Sequence, residues 1–453
     1  MNYISFEKLF FPKSIAIIGA TDRKGSVGRG LVENVRIKGA RGRKVFLVNP
    51  NRKKVLGKKV YPNINDIKEE VDLAVIAVPA NAVLEVVKQC CQKWVGSIII
   101  ISAGFAEMGE KGQVLQEKIR RECAKRNIPF VGPNCLGIIR PSISLNASFA
   151  PVLPKQGGIT LISQSGALID SILAQSKEKN YGFANIISYG NEAGVTLPDF
   201  LYWAGQDEET KVIALYLEGL KDGREFIKIA GQITANKPVV VLKGGKTEVA
   251  KKAVASHTGA LAGEGKVYSA AFRQSGIIEV NSIQELIDVS KALSWQEKCK
   301  NGIGIVTNGG GAGILCADYC AQAKINLPSF SREAIKNLEK SKIMHAGFSK
   351  SNPLDIVGDA LADRYELAID AMLKQKNIYG LIVIQTLQIM TEPEKNAKII
   401  IRAKQKYKDK PIITVFMGGS LDGQAHQLLE QKQIPNYPDP LRAVKAMRAL
   451  IKK

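Results

Sequence analysis

The sequence predicts an α/β fold, with three parallel-sheet domains following one another, and three observations carry that reading. Short runs rich in Val and Ile recur along all 453 residues, separated by longer stretches of helical periodicity; continuous apolar runs of this kind are strands buried on both faces. Most runs close on Gly, Pro or Asn, the residues that turn a chain. Two segments also open alike: ITLISQSGALIDSIL and IGIVTNGGGAGILCA each read as a buried strand, a small-residue turn and a helix, which makes them two related domains.

Taken in order, the first block places strands at 14–19, 45–49, 73–78, 97–102 and 129–131. Pro141, Pro151, Pro154 and the pair Gly157 and Gly158 read as a break. A second series follows at 159–163, 184–188, 212–218, 238–243 and 276–280. After the polar segment 296–301, a third places strands at 302–307, 380–386 and 411–417. The expected domains are therefore 1–138, 139–295 and 296–453.

Composition narrows the function. Hydrophobic residues at 45% and charged residues at 23% exclude a largely disordered chain. Lys and Arg total 64 against 42 acidic residues, a net charge of +22, which raises the question of nucleic acid. Aromatic residues are only 6%, and lysines such as Lys336, Lys340, Lys342, Lys404, Lys406 and Lys408 scatter over helix faces. No finger, homeodomain or stacking motif accompanies them, so the charge reads as a solvated surface and nucleic acid is not an expected partner. Seven cysteines, an odd number without repeated ligand spacing, suggest neither a disulfide framework nor a metal site. A reducing cytoplasm fits them. The start, MNYISFEKLFFPKSIAIIGA, lacks a cleavage pattern, and no apolar stretch approaches the length that crosses a bilayer.

The first functional signal is a phosphate cradle. The strand SIAIIG ends at Gly19 and passes through ATDRKGSVGRG into a helix near Val27, which puts backbone amides at a helix start. Gly19, Gly25, Gly28 and Gly30 allow close backbone approach; the alternative is a tight strand-to-helix turn without a ligand. A dinucleotide domain ends its second strand on an acid that holds the ribose hydroxyls, but here the sequence reads KVFLVNPNRKK. Asn49 and Pro50 are followed by Arg52, Lys53 and Lys54, which suit a phosphorylated ribose better than a free diol. Coenzyme A, with its 3′-phosphate and diphosphate, fits that charge pattern better than NAD; NADP satisfies it too, and an ordinary exposed basic turn is the bland alternative. AVPA, ISAGF and VGPNCLG add small-residue turns on the edge where open α/β sheets bind ligands.

The second signal is one of three histidines, His257, in KKAVASHTGALAGE. Imidazole is a competent nucleophile near neutral pH, and small neighbours suit a phosphoryl carrier better than a tight core. Such a ring needs an acceptor to orient it and a site for the anion. Glu218 in VIALYLEGLKDG is placed to be that acceptor, or else to be solvated or paired with Lys221. Ser165 and Gly166 in LISQSGAL open a helix whose amides would face a phosphate. The same turn is not a hydrolase elbow, because Ser163 and Ala167 stand where G-x-S-x-G needs glycines.

SIAIIGATDRKGSVG, ISAGFAE, GPNCLG, LISQSGAL, YLEGLKDGR and ASHTGALAG, in this order, resemble the α subunit of the ADP-forming acyl-CoA synthetases and, more distantly, that of succinyl-CoA synthetase. GIVTNGGGAGIL, NPLDIVGDA and VFMGG extend the likeness over nearly the whole chain. The resemblance implies a Rossmann-like CoA-binding domain followed by two flavodoxin-like ligase domains, and a reversible reaction of acyl-CoA, ADP and phosphate to carboxylate, ATP and CoA. It implies that His257 is transiently phosphorylated and stabilised by Glu218. CoA would be held by Gly19, Ala20, Thr21, Lys24, Gly25, Ser26, Val27, Asn49, Pro50, Lys53, Val78, Pro79, Ser102, Ala103, Gly104, Asn134 and Cys135. Phosphate would be held by Gln164, Ser165 and Gly166, and in the third block by Gly309, Gly310 and Gly311, with Gly418 and Gly419 as competitors. Neither an ATP-grasp pattern nor a G-x-x-x-x-G-K-[ST] loop is present. The family pattern therefore implies a separate ATP-grasp β subunit that binds ADP or ATP with Mg²⁺. The rivals are a CoA-binding regulatory protein without phosphoryl transfer and a nicotinamide dehydrogenase, which the missing ribose acid disfavours.

Overall fold

The computed structural model describes residues 6–38, 42–250 and 264–452. The chain divides into two compact units, one ending at Ile283 and the other starting at Gln284. Three sheets organise them, two in the first unit and one in the second.

The first sheet contains β1 (Ser14–Ile18), β2 (Lys44–Val48), β3 (Lys54–Val55), β4 (Lys58–Tyr61), β5 (Leu73–Ile76), β6 (Ser97–Ile100) and β7 (Phe130–Val131), in the order β3-β4-β2-β1-β5-β6-β7. Strands β2, β1, β5, β6 and β7 run parallel, as the apolar runs predict. In β1, Ile15 and Ile17 enter one hydrophobic cluster while Ala16 and Ile18 enter another. Both faces are thus covered, which is why the run shows no alternation. At about 1.5–3 kcal/mol for each large apolar side chain buried, such strands anchor the fold. The order reverses beside β1, and that reversal opens a crevice at the strands' carboxyl ends. The hairpin β3–β4 is an addition the sequence reading did not contain. Its tight turn places Leu56 (φ +46°) and Gly57 (φ +74°) in left-handed conformations, and the charged lysines around it hide the strand signal.

The second sheet has the order β14-β13-β12-β10-β11-β8-β9. Its strands are β8 (Gly137–Arg140), β9 (Leu145–Ser148), β10 (Gln156–Ser163), β11 (Phe183–Ser188), β12 (Val212–Leu217), β13 (Val239–Lys243) and β14 (Ile278–Val280). The parallel run from β11 to β14 follows expectation. The expected break around Pro141 is corrected: β8 and β9 form an antiparallel hairpin, and β8 pairs antiparallel with β11. Pro141 sits in the hairpin's 3₁₀ turn, where it removes no ladder bond. Arg140, 2% exposed, fixes the hairpin by donating to Asn185 Oδ1 (2.7 Å), Asp207 Oδ1 (3.0 Å) and Glu209 Oε1 (2.8 Å).

The third sheet is all parallel, in the order β16-β15-β17-β18-β19. It is built from β15 (Ile303–Thr307), β16 (Leu354–Asp355), β17 (Gly380–Gln385), β18 (Ile412–Phe416) and β19 (Asn436–Tyr437). The two-residue strands β16 and β19 are too short to register as apolar runs. Within this unit, Asp288 accepts two hydrogen bonds from Arg442 (2.6 and 2.9 Å) and Lys291 lies 2.7 Å from Glu430. Among the described residues, no helix is long and apolar enough to cross a membrane.

Candidate functional site

At the carboxyl edge of the first sheet, geometry forces the glycines. Gly19 has φ +95°, and a Cβ there would lie 2.2 Å from the Ala77 carbonyl oxygen; one on Gly28 would lie 2.2 Å from the Gly19 oxygen. The turn between them ends on Ser26, whose hydroxyl donates to the Arg23 carbonyl (2.7 Å) instead of capping the helix that starts at Val27. The first amides of that helix are thereby left for an outside acceptor. Thr21 Oγ1 accepts from the Arg23 amide (3.2 Å), and Lys24 and Gly25 are exposed.

Asn49, at the end of β2, donates to the Ala20 carbonyl (2.8 Å) and accepts from the Asn51 amide (2.9 Å), so its side chain ties neighbouring strand ends together. Arg52 pairs with Asp22 of the glycine turn (3.0 Å). An acid does enter this edge after all, from the loop rather than from the strand end. Pro50, Lys53 and Lys54 are exposed. Val78 and Pro79 follow β5, and Ser102 Oγ donates to the Val78 carbonyl (2.6 Å). The Asn134 amide donates to the Ser102 carbonyl (2.9 Å), bringing Ser102, Ala103, Gly104 and Asn134 into the same rim. Cys135 turns inward: its thiol donates to the Ile100 carbonyl (3.3 Å), and burial pushes it up to about 12. Only its backbone is available at the rim.

Glu107 and Asn191, which the sequence reading did not single out, join this rim to the second sheet. The Gly104 and Phe105 amides donate to Glu107 Oε1 (2.6 and 3.1 Å), and Asn191 Nδ2 donates to Glu107 Oε2 (2.5 Å). Burial alone would raise this carboxyl, but those three donors outweigh it and hold Glu107 below the usual carboxylate range. Asn191 Nδ2 also reaches Gln116 (3.0 Å), and its amide donates to the Pro133 carbonyl (2.9 Å). Lys221 donates to the Asn191 and Glu192 carbonyls (2.7 and 2.6 Å). Burial lowers its ammonium, with Glu192 opposing.

The second sheet's edge contains the remaining predicted groups. Ser163, at the end of β10, accepts from the Ser165 amide (3.0 Å) and donates to the Ser165 carbonyl (2.9 Å). Ser165 then caps the helix Gly166–Glu178 by accepting from Leu168 N (3.3 Å). That leaves the Gly166 and Ala167 amides directed out of the helix start. Gln164 Oε1 accepts from the Glu218 amide (2.5 Å) and the Gly219 amide (3.2 Å), so this side chain sets the loop after β12.

Glu218 is 7% exposed. Tyr216 donates its hydroxyl to Glu218 Oε1 (3.2 Å), while Oε2 is buried with no hydrogen-bond partner among the described residues. The Lys221 alternative does not hold, because that ammonium is spent on the two carbonyls. His257 lies outside the described residues.

In the third sheet, Thr307 Oγ1 accepts from the Gly309 amide and donates to its carbonyl (3.0 Å each), and the helix Gly310–Gln322 begins there. A Cβ on Gly310 would lie 2.7 Å from Asp355 Oδ2, whereas Gly311 has nothing within 4 Å. At the competing loop the Gly418 amide already donates to Asp422 Oδ2 (2.7 Å). A carboxylate of the chain therefore occupies the place an anion would take there.

Comparison with known proteins agrees with this layout. Family models match a CoA binding domain over residues 13–141, a succinyl-CoA ligase like flavodoxin domain over 156–293 and a ligase-CoA domain over 303–449. An ADP-forming acetate–CoA ligase of Methanocaldococcus jannaschii is 42% identical over all of this chain, which spans 63% of that relative. The alpha subunit of ADP-forming acetate–CoA ligase I of Pyrococcus furiosus is 37% identical over 99% of this chain and 98% of its own length. Among solved structures, acetyl-coenzyme A synthetase 1 of Ca. Korarchaeum cryptofilum, in complex with phosphate and ADP, superposes with a TM-score of 0.92 at 35% identity, covering 98% of this chain and 96% of that one.

Proposed function

The chain belongs to the ADP-forming acetate–CoA ligase family, and from that premise we propose that it carries out acyl transfer and phosphoryl relay between a thioester and a nucleotide. Acetyl-CoA, ADP and phosphate become acetate, ATP and CoA, reversibly. The carrying observation is Glu218: a buried carboxylate with one oxygen held by Tyr216 and the other without a partner among the described residues. It shares a strand edge with a helix start whose first amides point outward. An unpaired buried carboxylate oxygen is costly, and a ring N–H offers it the missing donor.

In this reading CoA lies over the rim from Gly19 to Asn134, its phosphates at the helix start at Val27 and beside Lys53. A phosphate oxygen attacks the thioester carbonyl; the C–S bond breaks, the thiolate leaves and takes a proton, and an acyl phosphate remains. A ring nitrogen of His257 attacks phosphorus, the P–O bond to the acyl group breaks, and carboxylate departs. Glu218 accepts from the other ring nitrogen and stabilises the charged ring. The Gly166 and Ala167 amides face the phosphoryl oxygens. An oxygen of the ADP β-phosphate then takes the phosphoryl group. Asp355 beside Gly310 makes the third-sheet glycines a poorer anion cradle than those of the second sheet.

The nucleotide and Mg²⁺ belong, in this reading, to an ATP-grasp polypeptide that works with this one, in line with the alpha-subunit name of the Pyrococcus furiosus relative. The cysteines, all free, fit a reducing cytoplasm. Labelled phosphate and acetyl-CoA, supplied to the full chain with its nucleotide-binding partner, test the proposal: acid-labile label on His257 supports it, and its absence under turnover overturns it.

A further inference from the structure

The Glu218 carboxylate is fixed by more than its own side chain. Lys243, the last residue of β13 and 3% exposed, directs its ammonium at the main chain of Glu218. It donates to the Glu218 carbonyl (2.7 Å) and to the Gly244 carbonyl, and it lies 4.6 Å from the centre of the Tyr268 ring. A Cβ added to Gly244, the next residue, would come 2.9 Å from Tyr216 Oη and 3.7 Å from Glu218 Cγ. Strand β13 is therefore pressed against the Tyr216–Glu218 pair and holds it by one charged hydrogen bond. A fully buried lysine whose only hydrogen-bond acceptors among the described residues are two carbonyls is an expensive way to stabilise a strand end. It is an effective way to set one backbone carbonyl, and with it one side chain.

We propose that Lys243 is a positioning residue for phosphoryl transfer: its ammonium pins the Glu218 main chain, so that Tyr216 can hold Oε1 and leave Oε2 aimed at the phosphorylated ring. The inference rests on the Glu218 reading given above. The groups facing Lys243 are Glu218, the residue after β12, Tyr268 from the helix Gly265–Gln274, and Lys246 from the turn after β13, itself 2.8 Å from Glu279 of β14. Burial pushes the Lys243 ammonium down to about 8; Glu218 opposes that and Lys246 adds to it. The hold on Glu218 is thus lost as pH rises past that value, because the neutral amine is a weaker donor.

The test is the rate of His257 labelling from labelled phosphate and acetyl-CoA, measured from pH 6 to 10 on the full chain with its partner. Lys243→Met is expected to slow labelling about 10- to 100-fold with half-saturation by acetyl-CoA unchanged, the signature of lost orientation rather than lost binding. Lys243→Arg, which stays charged, is expected to keep most of the rate and to carry it past the pH where wild type declines. If Lys243→Met does not fold, the Lys243→Arg profile decides alone. A wild-type rate in Lys243→Met, or an alkaline decline unchanged in Lys243→Arg, overturns the proposal. Glu218→Gln is run alongside. Normal labelling in that variant overturns the Glu218 reading itself, whereas a silent Glu218→Gln beside a normal Lys243→Met overturns the lysine proposal only.

Discussion

The turns that follow β10 and β15 are wired alike and charged differently. In each, a strand-end hydroxyl clasps the residue two places on: Ser163 with Ser165, Thr307 with Gly309. In each, an amide side chain then ties the next strand's end, Gln164 to the Glu218 and Gly219 amides, Asn308 to the Thr386 amide (2.8 Å). The position held by Glu218 in the second sheet is held by Thr386 in the third. The acid near the third sheet's helix start is Asp355, and its Oδ1 is already satisfied by the Val357 amide (2.9 Å). A shared scaffold thus carries, in one domain, an acid with a buried oxygen that has no partner among the described residues and, in the other, an acid held by a backbone amide and without such a buried unpartnered oxygen. In the proposed mechanism, chemistry follows which strand end supplies the carboxylate and what is left unpaired.

That contrast can be broken by substitution. Glu218→Gln is expected to lower His257 labelling by about 100-fold, whereas Asp355→Asn lowers it by less than about threefold, as measured by initial labelling rates. The same Glu218→Gln should raise stability by about 1 kcal/mol, since a neutral amide costs less to bury than a carboxylate; thermal melting reads this as a rise of a few degrees.

Between the helix starts, Gly310→Ala meets Asp355 Oδ2 at 2.7 Å while Gly166→Ala meets the Leu136 Cβ at 3.2 Å. Urea unfolding should find the first substitution costing about 1–3 kcal/mol and the second less than about 1 kcal/mol. Ser165→Ala removes a true cap and should cost about 1 kcal/mol. Gly309→Ser gains no cap energy, because its Cβ would lie 2.7 Å from Thr386 Cγ2.

A further expected effect is on stability against pH. Lys243 is lowered from 10.5 to about 8 in the folded chain. Between those values the unfolded chain holds a proton that the folded chain has released, so stability rises with pH across that window. Below about pH 8 both states are charged, and the cost of burying the ammonium is felt in full. Lys243→Met should flatten this rise in melting curves taken from pH 8 to 10.

Much of this was legible in the sequence. Runs such as Val212–Leu217 announce doubly buried strands, and the glycine at 19 announces a turn that no side chain fits. The hairpin β8–β9 was not legible, since Pro141 reads as a breaker unless the tertiary contacts of Arg140 are known. Glu107 and Asn191 were missed because the bond between them joins segments distant in sequence, although Glu107 lies inside the ISAGFAE motif, and Lys221 was read only as a possible partner of Glu218. Lys243 gave no signal at all. It ends an apolar strand like any surface lysine, and its acceptors are backbone carbonyls, which composition cannot reveal. The Cys135 thiol shows the opposite limit: a motif position marks a site while the side chain itself turns to the core.

The most direct measurement is mass spectrometry of the intact chain, quenched in alkali during turnover with acetyl-CoA, phosphate and the nucleotide-binding partner. The account predicts one added phosphoryl group on His257 that forms before ATP appears, disappears when ADP is added, and is missing in Glu218→Gln. A chain that turns over at full rate while His257 stays unmodified, or with Glu218→Gln labelled as fast as wild type, contradicts it.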